Sequence, residues 1–328
     1  MDTYTIIYQP NRLTEAAYKY TLLQERTLNA IVFHLQDYIV PQISKKVGFR
    51  QLDLFKKNNE GVIRLKIALN HIGKPNQYDR IRESIVKLAG VVVDIKETTS
   101  SGIEMIRYSG LLRANIPCNT KRNSYVIIEI EKKIATKLIE LERNIRNEAI
   151  NFTRYEYEIC QQLKGKYAPK IFKLISSYQG KGEFVISLDR FRRILGIENK
   201  YLRYIDLQTK VLLPVQKELK LKAKLWYDCE QKGFVKKKFG EVSALYFFLY
   251  SQKLYERRDL QKDNIIRMLE LHFSFGDTDI EEYKTLLMNP NNHRTLKNLI
   301  LRADSANKKI IIRDKKAYLK ECINNEFY

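Results

Sequence analysis

The order of predicted elements between residues 167 and 249 constrains the fold most, because only a few folds use it. The apolar spacing and turn residues predict, in order, a buried helix at 167–178, a strand at 184–186, a compact helix at 187–196, a longer helix at 199–220, and a lysine-rich hairpin that starts at 222–227 and turns around 231–233. This succession of helix, strand, helix, basic helix and basic hairpin predicts a winged helix-turn-helix.

The first half of the chain repeats the same order without a detectable sequence repeat. It predicts a helix at 11–40 before Pro41, a strand at 62–70, a helix at 75–89 that stops at Gly90, a hairpin of 91–95 with 105–112, a strand at 125–130, and a charged helix to about residue 147. The joint near residues 145–155 lacks a Pro/Gly/Ser linker, which predicts a stiff connection.

The predicted fold class is therefore α+β, with two tandem winged helix-turn-helix domains and a small, mostly helical C-terminal extension. We expect the first domain at residues 1–150 and the second at residues 151–255. The remaining residues, 256–328, are predicted to form a helical tail, and the sequence indicates no role for it. Its helical pieces are interrupted by Gly276-Asp277 and by the Asn/Pro-rich residues 289–292.

The positive charge of the chain is concentrated in the two predicted winged helices. The chain carries 59 Lys+Arg against 38 Asp+Glu, a net charge of +21. Residues 1–150 hold 24 basic against 16 acidic residues, residues 151–250 hold 20 against 10, and the last 78 residues hold 15 against 12. Such a surplus in folded segments favours a polyanionic partner, most simply nucleic acid, although a solubilising surface is the alternative.

Enzymatic and metal-binding patterns are absent from the sequence. The four cysteines, Cys118, Cys160, Cys229 and Cys322, form no Cys-x-x-Cys pair, and the four histidines form no metal-ligand pair. Phosphate-binding glycine loops are also missing. We expect no enzyme activity, no cofactor and no metal. The N-terminus lacks the pattern of a signal peptide and no apolar run is long enough to span a bilayer, so a cytoplasmic location and no membrane contact are expected.

Seventeen residues are candidate DNA contacts, because they are long polar or cationic side chains on the faces opposite the apolar stripes. Cations on an exposed helix face can reach the major groove, and lysines on a wing can reach phosphates. The alternatives are a solvated basic face and lysines that protect an edge strand from aggregation. The candidates are Arg190, Arg192, Arg193, Lys200, Arg203, Asp206, Thr209, Lys210, Lys217, Lys222, Lys224, Lys236, Lys237, Lys238, Asn76, Arg80 and Lys87.

Four segments resemble the plasmid replication initiators that bind iterons, the Rep proteins with two winged-helix domains. They are Pro-Asn-Arg-Leu at 10–13 followed by Leu-Leu-Gln-Glu-Arg at 22–26, Phe-Thr-Arg-Tyr-Glu-Tyr at 152–157, the helix pattern at 167–175, and the helix-turn-helix pattern at 188–197 and 201–219. The resemblance spans about residues 8–250. One departure is Gln208-Thr209-Lys210, where the family commonly has arginine.

The resemblance implies a partner and a mechanism. Such initiators bind direct repeats of duplex DNA at the origin as monomers, help to open an adjacent A·T-rich stretch, and recruit the host helicase machinery. As dimers, often joined through the first domain, they bind inverted repeats and repress their own gene. It therefore implies a bacterial, DNA-associated protein in equilibrium between homodimer and monomer. The alternatives are a transcriptional regulator with duplicated winged helices and, more distantly, a DNA strand-transfer enzyme.

Overall fold

The computed structural model describes residues 5–44, 61–98, 101–119, 124–289, 292–309 and 314–327. The chain divides into two compact units, Met1–Tyr250 and Ser251–Tyr328. The larger unit contains two successive winged helices, and the smaller unit is helical. The predicted α+β class with two winged helix-turn-helix domains and a helical extension is confirmed.

In its described residues, the first winged helix combines a three-stranded antiparallel sheet, a separate hairpin and five helices. Its elements are β1 (Ile6–Pro10), α1 (Asn11–Thr14), α2 (Leu22–His34), α3 (Gln36–Ser44), β2 (Val62–Ala68), α4 (Tyr78–Ala89), β3 (Val92–Thr98), β4 (Glu104–Gly110), β5 (Arg113–Asn115), β6 (Tyr125–Glu131) and α5 (Lys132–Ile139). The sheet order is β2-β6-β5, and β3 pairs with β4. Short 3-10 turns at Leu69–His71 and Pro75–Gln77 lead into α4.

The periodicities that predicted these elements match the buried faces. Alternate residues of β2 and of its partner β6 point into the core, and α4 buries one stripe at helical spacing. The buried residues are Ile63, Leu65 and Ile67 in β2, Val126, Ile128 and Ile130 in β6, and Tyr78, Ile81, Ile85 and Leu88 in α4. The strand and hairpin predictions are confirmed, except that β2 ends at Ala68 and a 3-10 turn follows it.

The single helix predicted over residues 11–40 is wrong, because the segment forms three helices. Residues 15–21 interrupt it, and α2 starts at a capping box: the N–H of Gln24 donates to the hydroxyl of Thr21, and the N–H of Thr21 donates to the side-chain carbonyl of Gln24. Pro41 does not end the helix but lies inside α3. The buried side chain of Gln42 donates to the carbonyls of Tyr38 and Ile139, which ties this turn to the end of α5.

The charged helix predicted to about residue 147 is also wrong. It ends at Ile139, and a short hairpin of β7 (Glu142–Arg143) and β8 (Ala149–Ile150) follows. The side-chain oxygen of Asn144 accepts hydrogen bonds from the N–H groups of Arg146 and Glu148, and Asn147 is left-handed with φ 58°. Asparagine favours such turns because its side chain replaces a backbone acceptor.

The joint between the winged helices is built from strands and buried polar contacts. The next strand, β9 (Phe152–Glu156), pairs antiparallel with β1. The Tyr155 hydroxyl bonds the side chains of Gln9 and Asn29, at 2.9 and 2.6 Å, and buried Lys173 pairs with buried Glu25 of α2. Residues distant in sequence therefore hold the two halves of the larger unit together.

The second winged helix has the predicted order of elements. It contains α6 (Tyr157–Gln162), α7 (Ala168–Ser177), β10 (Glu183–Ser187), α8 (Leu188–Leu195), a continuous helix made of α9 (Tyr204–Leu207), a π turn (Gln208–Leu212) and α10 (Leu213–Lys222), and the strands β11 (Trp226–Tyr227), β12 (Val235–Lys238) and β13 (Glu241–Tyr250). The central strand β13 pairs with β10, β11 and β12. Tyr227, Phe191 and Phe247 are fully buried in its core.

The caps predicted for the compact helix are confirmed. The N–H of Arg190 donates to the hydroxyl of Ser187 at the N-terminus, and Gly196 is left-handed after the C-terminus. The next helix begins at Tyr204 rather than residue 199, because Tyr201 is left-handed with φ 53° and cannot continue a helix. Its π turn ends two residues before Pro214, which offers no N–H to the carbonyl four residues earlier.

The predicted start and turn of the lysine hairpin are wrong. Lys222 is the last residue of α10, and residues 231–233 lie in the loop between β11 and β12. The hairpin consists of β12 and β13, and its turn is Phe239-Gly240, since Lys238 pairs with Glu241. The wing therefore lies later in the chain than its alternating sequence suggested.

The smaller unit has its own apolar core. It consists of α11 (Gln252–Phe273), α12 (Asp277–Glu282), α13 (Lys284–Met288), α14 (His293–Lys309) and α15 (Lys315–Phe327). Asp279 accepts a hydrogen bond from the N–H of Gly276 and pairs with Lys316 and Lys320 of α15. Across the parts of the chain that the structure describes, no helix combines the length and apolarity needed to cross a membrane.

Candidate nucleic-acid interface

The long helix of the second winged helix divides into a buried face and a cationic face. The buried face carries Leu207, Val211, Leu212, Val215 and Leu219. On the other side, the Arg203 guanidinium donates to Asp206 at 2.9 Å, and Lys210 lies 3.3 Å from the same carboxylate. The hydrogen bond from Arg203, followed by that from Lys210, lowers the pKa of Asp206.

These ion pairs leave both cations available to another partner. The side chains of Arg203 and Lys210 are 77% and 61% exposed. Exposed pairs of this kind contribute little to stability, about 0–1 kcal/mol, so a phosphate or a base edge can replace the carboxylate. Thr209 and Lys217 are also exposed on this helix, and the Thr209 hydroxyl donates to the Ile205 carbonyl at 2.8 Å.

Two of the three candidate arginines of α8 are committed to intramolecular contacts. Arg190 pairs with Glu15 of the first winged helix, and this hydrogen bond raises the pKa of Arg190. Arg192 donates to the carbonyls of Tyr201 and Leu202, at 3.0 and 2.6 Å, and thereby holds the turn before α9. Arg193, like Lys200 in the following turn, is exposed.

Lys222 also has a structural contact. Its ammonium group donates to the Glu218 carboxylate at 2.6 Å and to the Gln162 carbonyl at 3.0 Å. Glu218 in turn accepts the N–H groups of Lys164 and Gly165 before α7. Burial opposes ionisation of Glu218, but the hydrogen bonds from Lys222, Lys164 and Gly165 outweigh burial and lower the pKa of Glu218. Lys224, the next candidate, is exposed between α10 and β11.

The wing presents three consecutive exposed lysines, Lys236, Lys237 and Lys238, on β12. The ammonium of Lys236 lies 5.3 Å from the ring centre of Tyr246, and that of Lys238 lies 5.4 Å from the ring centre of Phe239. The pairing register shifts between Lys236 and Lys237. Such an irregularity redirects side chains along a strand. The wing is thus a second cationic element, connected through β13 to the same sheet.

The first winged helix offers a weaker electrostatic site. Asn76, Arg80 and Lys87 are exposed as predicted. However, Asp79 and Glu83 also lie on α4, whose charge is +1 from three basic and two acidic residues. An open groove of about 790 Å³ runs beside this face and is lined by Asp79, Arg82, Glu83, Val86, Lys87, Ala114 and Ile116.

The first winged helix contacts the helix-turn-helix of the second, and no sequence pattern predicted this contact. Besides the pair of Glu15 with Arg190, Lys19 lies 3.9 Å from Glu198. A Cβ on Gly196 would lie 2.9 Å from the Tyr18 carbonyl, so only glycine fits this contact. These long-range contacts leave no local pattern from which they could be predicted. They fix the turn of the second winged helix against the first.

The side chains place no metal-binding cluster in this interface: among the described residues, no group of three or more His, Cys, Asp and Glu could hold an ion. Cys160 and Cys229 are buried, and burial raises the pKa of each thiol to about 12. The interface offers cations, a few hydrogen-bonding groups and exposed helix and hairpin surfaces, which suit the binding of a polyanion.

Comparison with known families gives matches over both winged helices. Residues 6–176 match the family described as "Initiator Replication protein, WH1", and residues 187–248 match "Initiator Rep protein, WH2". Comparison with curated protein sequences gives no significant match.

A solved structure with a similar fold is that of the Pi initiator protein in complex with iteron DNA. It is 16% identical and has a TM-score of 0.53, and the match covers 77% of this chain and 100% of that chain. At this identity the likeness concerns the fold, while the family models together cover more than half of the chain. The chain therefore belongs to the initiator replication (Rep) protein family, and its larger unit matches that family's WH1 domain over residues 6–176 and its WH2 domain over residues 187–248.

Proposed function

We propose that this chain initiates plasmid replication by binding direct DNA repeats at the origin, with WH2 as the main recognition domain. The observation that carries this proposal is the concentration of exposed cations on two elements of WH2. Lys210 and Lys217 lie on the recognition helix, which is the continuous helix of residues 204–222, and Arg203 is its N-cap. Lys236, Lys237 and Lys238 lie on the wing. The related Pi initiator, whose solved complex contains iteron DNA, supports the same class of ligand.

The two elements have different roles in this proposal. Arg203 and Lys210 leave Asp206 and donate to base edges in the major groove, where arginine and lysine prefer guanine. Asp206 is then free to accept from a cytosine amino group, and Thr209 contacts either base type. Arg193, Lys200 and Lys217, with the wing lysines, bind phosphates and fix the register. Arg190, Arg192 and Lys222 act indirectly, by holding the helix-turn-helix in shape.

WH1 adds a second groove contact in this proposal. Residues 1–150 present Asn76, Arg80 and Lys87 from α4, and residues 151–255 carry the main site. The buried joint between the domains would set the spacing of the two contacts at about one helical turn, roughly 34 Å. Residues 256–328 belong to the separate unit Ser251–Tyr328, and this proposal does not use them.

We also propose that WH1 forms a homodimer that competes with origin binding and represses the chain's own gene at inverted repeats. The exposed face of the β3–β4 hairpin carries Val92, Ile106 and Tyr108, which are 65%, 53% and 70% exposed. Exposed apolar side chains grouped on one face are typical of protein contacts. In the main sheet of this domain β6 is paired on both edges, whereas β2 is an outer strand that could pair across a two-fold axis.

Origin opening and recruitment of the host helicase complete the proposed action, which takes place on plasmid DNA in the bacterial cytoplasm. The family is one of DNA-binding initiators rather than of enzymes in the usual sense. We propose that no covalent step and no cofactor are involved, so supercoiled origin DNA incubated with the protein and Mg²⁺ should stay unnicked. A nick that depends on one tyrosine would contradict this.

Variants that each remove one positive charge test the roles proposed for WH2, with base contacts from the recognition helix and phosphate contacts from the wing. Arg203→Ala and Lys210→Ala should each weaken binding to the preferred duplex by about 1–3 kcal/mol and relax its sequence preference. Lys236→Ala and Lys237→Ala should weaken binding to preferred and random duplexes alike and lower the salt dependence by about one ion each. Lys297→Ala is the control: it removes the same charge from an exposed site in the smaller unit, and it should change neither the affinity for DNA nor the salt dependence.

Competition binding curves at several salt concentrations give the sequence preference and the salt dependence of each variant. If the recognition-helix variants lose affinity equally for preferred and random DNA, the proposed base contacts are wrong. A wild-type protein that binds random and origin duplexes equally would contradict the proposed function as a whole. Specific binding without support of replication of an origin plasmid in cells would favour the transcriptional regulator instead.

A further inference from the structure

The turn at the tip of the WH2 wing has an unusual residue at its first position. The two-residue turn consists of Phe239 with φ 52° and Gly240 with φ 85°. Positive φ at both positions is the conformation of a type I′ turn, for which Asn-Gly is the favoured sequence. A bulky residue such as phenylalanine is strained in this region of backbone space. Phe239 therefore does not serve the turn.

The Phe239 ring does not serve the core of the domain either. It is 95% exposed, whereas Phe234, Phe247 and Phe248 are at most 4% exposed. A ring in water and a strained backbone both oppose folding, and asparagine at this position would relieve both. Residues that are strained without benefit to the fold concentrate where a ligand is bound.

The surroundings of the ring define the ligand that it fits. Lys236, Lys237 and Lys238 precede it on β12, and the ammonium of Lys238 lies 5.4 Å from the centre of its ring. An apolar tip beside a row of cations matches a groove with anionic rims and an apolar interior. The minor groove of duplex DNA has this chemistry, since phosphates line both edges and stacked bases lie beneath.

We propose that Phe239 is an apolar wedge that enters the minor groove next to the WH2 site and partly unstacks one base step. The wing lysines hold the phosphates on either side of it. Pyrimidine–purine steps such as TA are the easiest to unstack, so the contact favours such a step beside the bases read by the recognition helix. This inference rests on the proposed binding of duplex DNA by WH2.

Two substitutions of Phe239 distinguish the effect of its ring on DNA from its effect on the hairpin turn. Phe239→Asn removes the ring and restores the favoured Asn-Gly turn, so the hairpin should remain intact. Phe239→Leu keeps an apolar side chain of a type that serves as a wedge in other minor-groove proteins. Lys237→Ala is the matched phosphate-contact control on the same hairpin. Circular dichroism and thermal unfolding of the full chain verify the fold of each variant.

The probe is a duplex selected by the full-length protein from randomised DNA, with 2-aminopurine placed at successive steps beside the selected site. The wild-type protein should raise the fluorescence at one step. Phe239→Asn should abolish that rise and lower the affinity about tenfold without changing the salt dependence, whereas Phe239→Leu should retain most of both. Lys237→Ala should keep the fluorescence rise and reduce the salt dependence by about one ion.

The outcomes distinguish this inference from the proposed function. If the wild type binds its selected duplex no more tightly than random DNA, the proposed function fails. If it binds specifically and Phe239→Asn matches it in affinity and fluorescence, only the wedge fails. The wedge is also wrong if Phe239→Asn loses affinity but the wild-type complex shows no fluorescence rise at any step. The ring would then contact the groove without unstacking a base step.

Discussion

The buried ion pair between Glu25 of α2 and Lys173 of α7 allows a quantitative prediction about how α7 is held against the first winged helix. The two side chains are 5% and 2% exposed, and the Tyr18 hydroxyl donates to the same carboxylate at 3.3 Å. Burial opposes the charge on Lys173, but the attraction of Glu25 outweighs it and raises the pKa of Lys173. The ammonium charge of Lys173 is therefore retained in this buried site.

Removing one partner should destabilise the larger unit strongly. Glu25→Met or Lys173→Met leaves the other charge buried without compensation, which costs about 3–5 kcal/mol in comparable sites. The double variant buries two apolar side chains of similar volume and no charge. Such replacements are often neutral or stabilising, so the double variant should recover most of the loss. The single losses would sum to about 6–10 kcal/mol, so the coupling energy of the cycle should be about 4 kcal/mol or more.

Urea unfolding followed by tryptophan fluorescence measures the free energy of unfolding of each variant. The single tryptophan of the chain, Trp226, lies in β11 of WH2, so its fluorescence reports unfolding in the larger unit. Midpoints and slopes for the wild type, the two single variants and the double variant complete the cycle. Single-variant losses below about 1 kcal/mol, or a double variant as unstable as the sum of the singles, would refute the reasoning.

Three further predictions concern acidity, salt and the smaller unit. Desolvation lowers the pKa of Lys170 from 10.5 to about 7, so the folded state binds fewer protons than the unfolded state between these values. Stability should therefore rise as the pH increases from about 7 towards 10, and Lys170→Met should flatten that rise in urea titrations. The affinity for origin DNA should fall roughly a thousandfold or more between 50 and 200 mM salt if about six to ten phosphates are neutralised; a flat titration would contradict this. Deleting residues 251–328 should leave the Trp226 unfolding midpoint and DNA affinity unchanged, because that unit has its own core; loss of either would contradict this.

The elements that could be predicted from sequence are those specified by nearby residues. The alternation in β2 and β6, the apolar stripe of α4, and the caps Ser187 and Gly196 of α8 are local patterns, and the structure matches them. The errors arose where a local pattern was compatible with two conformations. Lys222 alternates with apolar neighbours like a strand residue, yet its bond to Glu218 one turn earlier holds it in the helix.

The candidate interface was predictable in composition but not in detail. Basic residues could be assigned to the recognition helix and to the hairpin from their order alone. Which of them are available depends on contacts between distant parts of the chain. Arg190 is paired with Glu15, and the carbonyls that accept from Arg192 depend on a left-handed Tyr201, which no sequence rule predicts. The position of Phe239 in the wing turn likewise emerged only from the pairing of β12 with β13.

Selection of duplexes from randomised DNA by the full-length protein tests the central claim most directly. The recovered sequence should occur as direct repeats, spaced by about two helical turns, beside an A·T-rich stretch of the replicon that encodes this chain. Its selection should depend on Arg203 and Lys210. Recovery of no common sequence, or of one that is absent from that replicon as repeats, would contradict the account.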